Sequence, residues 1–103
     1  MATRRRIEMD FKQAMAQADE VDEIADRLSD ISNGQLGDTM QNLAAAWRGE
    51  NATSYLGKSA RLQDKINASS GELHETAASI RRAARRIYNA EMEALRIAEA
   101  RSY

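Results

Sequence analysis

Few residues of this 103-residue chain could carry covalent or metal chemistry. It has no cysteine and a single histidine, His74. Without a thiolate there is no disulfide, no Cys-ligated metal and no Cys–His nucleophile, and one imidazole leaves a Ser–His–Asp arrangement or a zinc site without plausible parts. His74 falls off the apolar rows described below and reads as an exposed helix residue. A carboxylate metal site in a helical core would need inward-facing acids. The apolar rows of the second half contain none, and only Asp10 comes near them in the first half. The expectation is a protein that is not an enzyme and takes no cofactor or metal.

The densest charge is "IRRAARRIY", with Arg81, Arg82, Arg85 and Arg86. Such a cluster serves nucleic acid, an acidic partner, or simply a solvated helix face. The net charge is −1 and no aromatics interleave, so nucleic acid is not expected. A solvated face and a match to the acidic run Asp19, Glu20, Asp22, Glu23, Asp26 and Asp30, in cis or across a dimer, both stay open.

The elements that position these groups are helical. There is no proline and there are five glycines, which suits long helices and disfavours a turn-rich β fold. In the second half, Ala52, Ser59, Ile66, Leu73, Ile80, Ile87 and Ala94 recur every seven residues. A second row recurs beside them: Tyr55, Leu62, Ser69, Thr76, Ala83, Ala90 and Ile97. None of these positions is charged, which chance would give in roughly 1% of cases at this composition. The pattern predicts one helix of about 45 to 50 residues with a coiled-coil-like seam. In the first half Ile7, Ala14, Val21 and Leu28 keep the same spacing, flanked by Phe11, Ala18 and Ala25, with Ile24 and Ile31 alongside. That stripe is broad enough for more than one neighbour.

"DISNGQLGD" interrupts the first pattern, and afterwards Leu36, Met40, Leu43 and Trp47 resume it in a shifted phase. A kink and a full loop separating three helices are both compatible with Asn33, Gly34 and Gly37. Gly49 ends the resumed helix, and Asn51 or Thr53 is placed to cap the next. The expected architecture is an all-α antiparallel helical hairpin over residues 1–103. Helix 1 covers about 5–47 with the interruption near 33–37, the turn covers 48–51, and helix 2 covers about 52–100. Two helices share one seam, so the remaining stripe must be covered by a second protein, giving a four-helix bundle. Phe11, Val21, Leu28, Leu62, Ile66, Leu73, Ile80 and Ile87 are the expected core and dimer seam, and Trp47 sits at the hairpin tip. No run of 18 apolar residues exists, so no stable membrane insertion is expected. The basic "MATRRRIEMDF" meets acids at once and is not a cleavable signal peptide.

Helix, Trp47-Arg48-Gly49, helix, in about 100 residues, with Ala52 and Tyr55 following, resembles the WXG100 family, the ESAT-6-like small proteins of type VII secretion. The resemblance covers nearly the whole chain. It implies a hairpin that dimerises with itself or with a related WXG100 or LXG-type helical protein. It implies a cytoplasmic protein that is then secreted without a signal peptide by an FtsK/SpoIIIE-like ATPase machine. Some members instead escort a larger toxin, and an intracellular adaptor that is never exported is the alternative. Many exported members carry a C-terminal Tyr-x-x-x-Asp/Glu signal. Here Tyr88 is followed at that spacing by Met92, with Glu91 and Glu93 on either side. The candidate export signal is therefore Tyr88 with Glu91 and Glu93, or it belongs to a partner. Arg4, Arg5 and Arg6 read as a frayed tail, with contact to a membrane or the secretion apparatus as the alternative.

Overall fold

The computed structural model describes residues 3–101. The first helix, α1 (Arg4–Asp30), begins where Thr3 caps it. The Arg6 N–H donates to the Thr3 hydroxyl at 3.2 Å and the Ile7 N–H to the Thr3 carbonyl at 3.0 Å. These bonds satisfy donors that the first turn would otherwise leave open. They place Arg4, Arg5 and Arg6 inside the helix rather than in a frayed tail.

The chain then stays helical through the segment where a kink or a loop was expected. Ile31–Leu36 form one π-helical turn, α2 spans Gly37–Ala46, and α3 spans Glu50–Arg101 after a three-residue connection. The fold is an all-α helical hairpin. The π turn explains the shifted phase. Continuing the 4–3 spacing of α1 would bring Gln35, Thr39 and Asn42 inward. One extra residue per turn moves the inward row on by one position. Leu36, Met40 and Leu43 are accordingly half-buried, while Gln35, Thr39 and Asn42 are exposed.

By packing, the chain divides into two units, one holding the residues up to Val21 and from Glu75 onward, the other holding Asp22–His74. In the Asp22–His74 unit, small and polar side chains hold the helices together. Ala25 is fully buried, and the nearly buried Ser70 hydroxyl donates to its carbonyl at 2.7 Å. Ser32, also fully buried, donates to the Gln63 carbonyl at 3.2 Å, and its own carbonyl accepts from Gln63 Nε2 at 2.8 Å. Bonds from a side chain to the opposing backbone require closely spaced helices, which residues this small permit. Asn67 donates to Asn33 Oδ1 at 3.3 Å, and Asn33 donates to Ser29 at 3.1 Å.

His74 is engaged, contrary to the expectation of a plain surface residue. Its Nδ1 lies 2.6 Å from Asp22 Oδ1 and its Nε2 lies 3.1 Å from Asp26 Oδ1. Two acids one turn apart on α1 thus clamp both ring nitrogens. Hydrogen bonding to Asp22, with the attraction of both carboxylates, raises the His74 pKa above 6.5 against an opposing desolvation effect.

In the other unit, Ile7, Ala18, Ala77 and Ala84 are buried. The Phe11 and Tyr88 rings pack with centroids 4.9 Å apart, tilted at 44°. Arg81 Nη2 meets Asp19 Oδ1 at 2.8 Å. This member of the arginine cluster is therefore paired in cis with the acidic run of α1.

The seam of α3 differs from the predicted one in its second row. Ala52 is buried and Ser59, Ile66, Leu73 and Ile80 are half-buried, as a shared inner row. Their inward companions lie four residues on, at Leu56, Gln63, Ser70, Ala77 and Ala84. The row three residues on, from Tyr55 to Ile97, is exposed throughout. Gln63 and Ser70 look unsuited to an interface in sequence, yet the Ser32 carbonyl of the π turn accepts from Gln63 and the Ala25 carbonyl of α1 accepts from Ser70. A straight helix also drifts about 20° per heptad against a seven-residue repeat. By Ile87 the shared row has turned outward, to 57% exposure, and Tyr88 faces α1 instead.

Two outcomes are expected. Ala77→Leu should cost about 1–3 kcal/mol in chemical denaturation, since the site is filled, whereas Arg85→Leu, exposed and outside both rows, should not. The His74 clamp raises a folded-state pKa, so its stabilisation is present below the unfolded value of 6.5 and is lost as pH rises through the folded value. Thermal melting should occur at higher temperature at about pH 6 than at about pH 8, and His74→Gln should remove that difference.

Candidate partner-docking surface

The connection between α2 and α3 is built by backbone chemistry. Trp47 leaves the helix with φ −115° and ψ 126°, while its N–H still donates to the Leu43 carbonyl at 2.8 Å. Gly49 has φ +113°, a value side chains beyond glycine rarely adopt, so glycine is required for this reversal. Its carbonyl accepts both the Thr53 N–H at 3.1 Å and the Thr53 hydroxyl at 3.2 Å. Thr53 therefore donates back to the connection instead of accepting from open N–H groups, and Asn51 already lies within α3.

Trp47 and Tyr55 meet across this connection, with ring centroids 5.7 Å apart and tilted at 54°. Both remain wet, at 41% and 56% exposure. An aromatic pair beside a tight reversal and still open to solvent is a surface a partner can anchor on.

The remaining candidates separate into two groups. Phe11, Val21, Leu28, Ile66, Leu73 and Ile80 are half-buried between α1 and α3, whereas Leu62 and Ile87 are exposed. At the end of α3, Tyr88 is half-buried against Phe11 and Glu91 is half-buried as well. Glu93 is exposed and held by Arg96, whose Nε and Nη2 donate to its two carboxylate oxygens at 3.0 and 2.6 Å. That bonding and the guanidinium charge lower the Glu93 pKa. The three candidate signal residues thus do not form one cluster. Arg96 was missed, although the spacing from Glu93 places the two side chains together on a helix surface.

Polar contacts and exposed apolar groups lie on opposite flanks. In the Asp22–His74 unit, His74 with Asp22 and Asp26, and Asn33 with Asn67, occupy one flank. By helix periodicity, Ile24, Ile31 and Leu62 fall on the other, at 48%, 46% and 51% exposure. In the second unit the Asp19–Arg81 pair marks the polar flank, and exposed Ala83, Ile87, Ala90 and Ile97 mark the other. Among the described residues, no group of His, Asp and Glu could hold a metal ion, and no helix is long and apolar enough to cross a membrane.

No curated protein and no solved structure shows significant similarity to the chain. The profile of the WXG100 family, described as proteins of 100 residues with WXG, matches residues 6–92. With that match spanning the hairpin and its Trp47-Arg48-Gly49 reversal, the chain belongs to the WXG100 family, the ESAT-6-like small helical proteins associated with type VII secretion.

Proposed function

We propose that this protein is a secreted substrate or secretion partner of a type VII system and acts by docking its helices onto another helical chain. The observation that carries this reading is the exposed, uncharged row of α3, with Tyr55, Leu62 and Ile97 between 40% and 56% exposed. A lone hairpin gains nothing from keeping such side chains in water, whereas a second pair of helices removes them from it. The Trp47–Tyr55 pair is the proposed anchor for the secretion ATPase. The segment around Tyr88, Glu91 and Glu93 is the proposed export signal. Tyr88 acts there by fixing the segment against Phe11, and the exposed Glu93–Arg96 pair supplies the readable surface.

A secretion assay tests this in a host that carries a type VII system. The full chain should appear in the medium and stay in the cells when the FtsK/SpoIIIE-like ATPase is deleted. Removal of residues 89–103, or Trp47→Ala, should also retain it in cells, with the folded state of each variant checked by circular dichroism. Equal retention of the full chain and the truncated chain would identify an internal adaptor instead.

A further inference from the structure

We infer that the hollow beside the Phe11–Tyr88 ring pair binds a small organic cation, a free primary ammonium ion on an apolar stem of about four carbons. The site lies wholly within the unit that holds the residues up to Val21 and from Glu75 onward. It does not depend on the export reading above.

The hollow has a volume of about 150 Å³. Phe11 on α1 and Tyr88 on α3 line it, together with the buried Ile7 and Ala84. The side chains of Ile7, Phe11 and Ala84 offer water no hydrogen bond, so an apolar guest is favoured there. An apolar cavity of about 150 Å³ takes a molecule of roughly six heavy atoms, the size of benzene. That is room for a short stem with no chain attached.

Charge selects the guest. Asp10 and Glu91 also line the hollow, one acid on each helix, and among the described residues no basic side chain does. An anion would be repelled. Asp10 lies 3.6 Å from Arg6, in a pair whose two side chains are both exposed. Such a pair contributes little and gives way readily to a competing cation. Glu91 is half-buried, and among the described residues no side-chain hydrogen bond or ion pair engages its carboxylate. A carboxylate partly withdrawn from water and left without a partner gains from a cation brought to it. The rings add to this attraction, because aromatic faces carry negative charge. A primary ammonium has three N–H donors, enough for both acids with one left for water. Its head stays at the wet rim while the stem fills the hollow.

The probe is n-butylammonium, titrated into the full chain and followed by nuclear magnetic resonance. It should shift the signals of Phe11, Ala84, Tyr88 and Glu91 with a Kd of about 1 mM and leave those of Trp47 unmoved. n-Butanol and butyrate lack the positive charge and should bind at least about tenfold more weakly. Glu91→Gln and Asp10→Asn keep the shape and remove a charge. Each should weaken butylammonium about tenfold, with the circular dichroism spectrum unchanged. The comparison of the three small molecules on the unmodified chain needs no variant. Absence of saturable shifts at about 50 mM, or n-butanol or butyrate binding as tightly as butylammonium, would overturn the inference. So would folded variants that bind butylammonium as the unmodified chain does. Equal affinity for Nα-acetyl-lysine N-methylamide, which carries the same stem on a peptide unit, would overturn the free ion as occupant and assign the hollow to a lysine side chain of another polypeptide.

Discussion

The close approach of two helix backbones sets what the rest of this structure can do. Ala25, Ser32 and Ser70 in one unit, and Ala18, Ala77 and Ala84 in the other, are the residues that leave water most completely, together with Ile7 and Ala52. Such side chains carry little area, and hydrophobic stabilisation follows area at about 25 cal/mol per Å². Several larger side chains, among them Ile24, Ile31, Leu62 and Ile87, lie outside this seam. Apolar area able to drive association therefore remains on the surface of the hairpin.

Charge decides which flank is available. The acidic run of α1 reaches across to His74 in one unit and to Arg81 in the other, and in each unit those contacts occupy one flank. Within each unit the uncharged row of α3 emerges on the other flank. The same charges that read in sequence as a solvated face thus serve as an internal guide, leaving the other flank apolar without any further device.

Much of this was legible in the residues themselves. The absence of proline, the seven-residue spacing and the Trp47-Arg48-Gly49 reversal define the hairpin, and the phase change after Asp30 marks where the helix winds differently. Whether that change was a kink, a loop or a π turn was not legible, because each places Leu36, Met40 and Leu43 on one face. Which row beside Ala52 packs within the hairpin was not legible for a related reason. Tyr55, Leu62 and Ile97 look more like core than Gln63 and Ser70 do. Hydrophobicity alone cannot show that the Ser32 and Ala25 carbonyls lie within bonding reach of those polar groups. Thr3 as a cap and His74 as a clamp depend likewise on where a neighbour stands, which spacing along one helix does not encode.

The bonds from Ser70 to Ala25 and between Gln63 and Ser32 have a consequence for alignment. Stripes of alanine are smooth, and a seven-residue repeat looks alike after each step, so packing by itself would let one helix creep along the other at little cost. Slot-like contacts remove that freedom. A shift of either helix would strand the hydroxyl of the buried Ser32 or Ser70 without an acceptor, at about 1–3 kcal/mol for each group. Buried polarity therefore works here as a ratchet tooth in an otherwise slippery track.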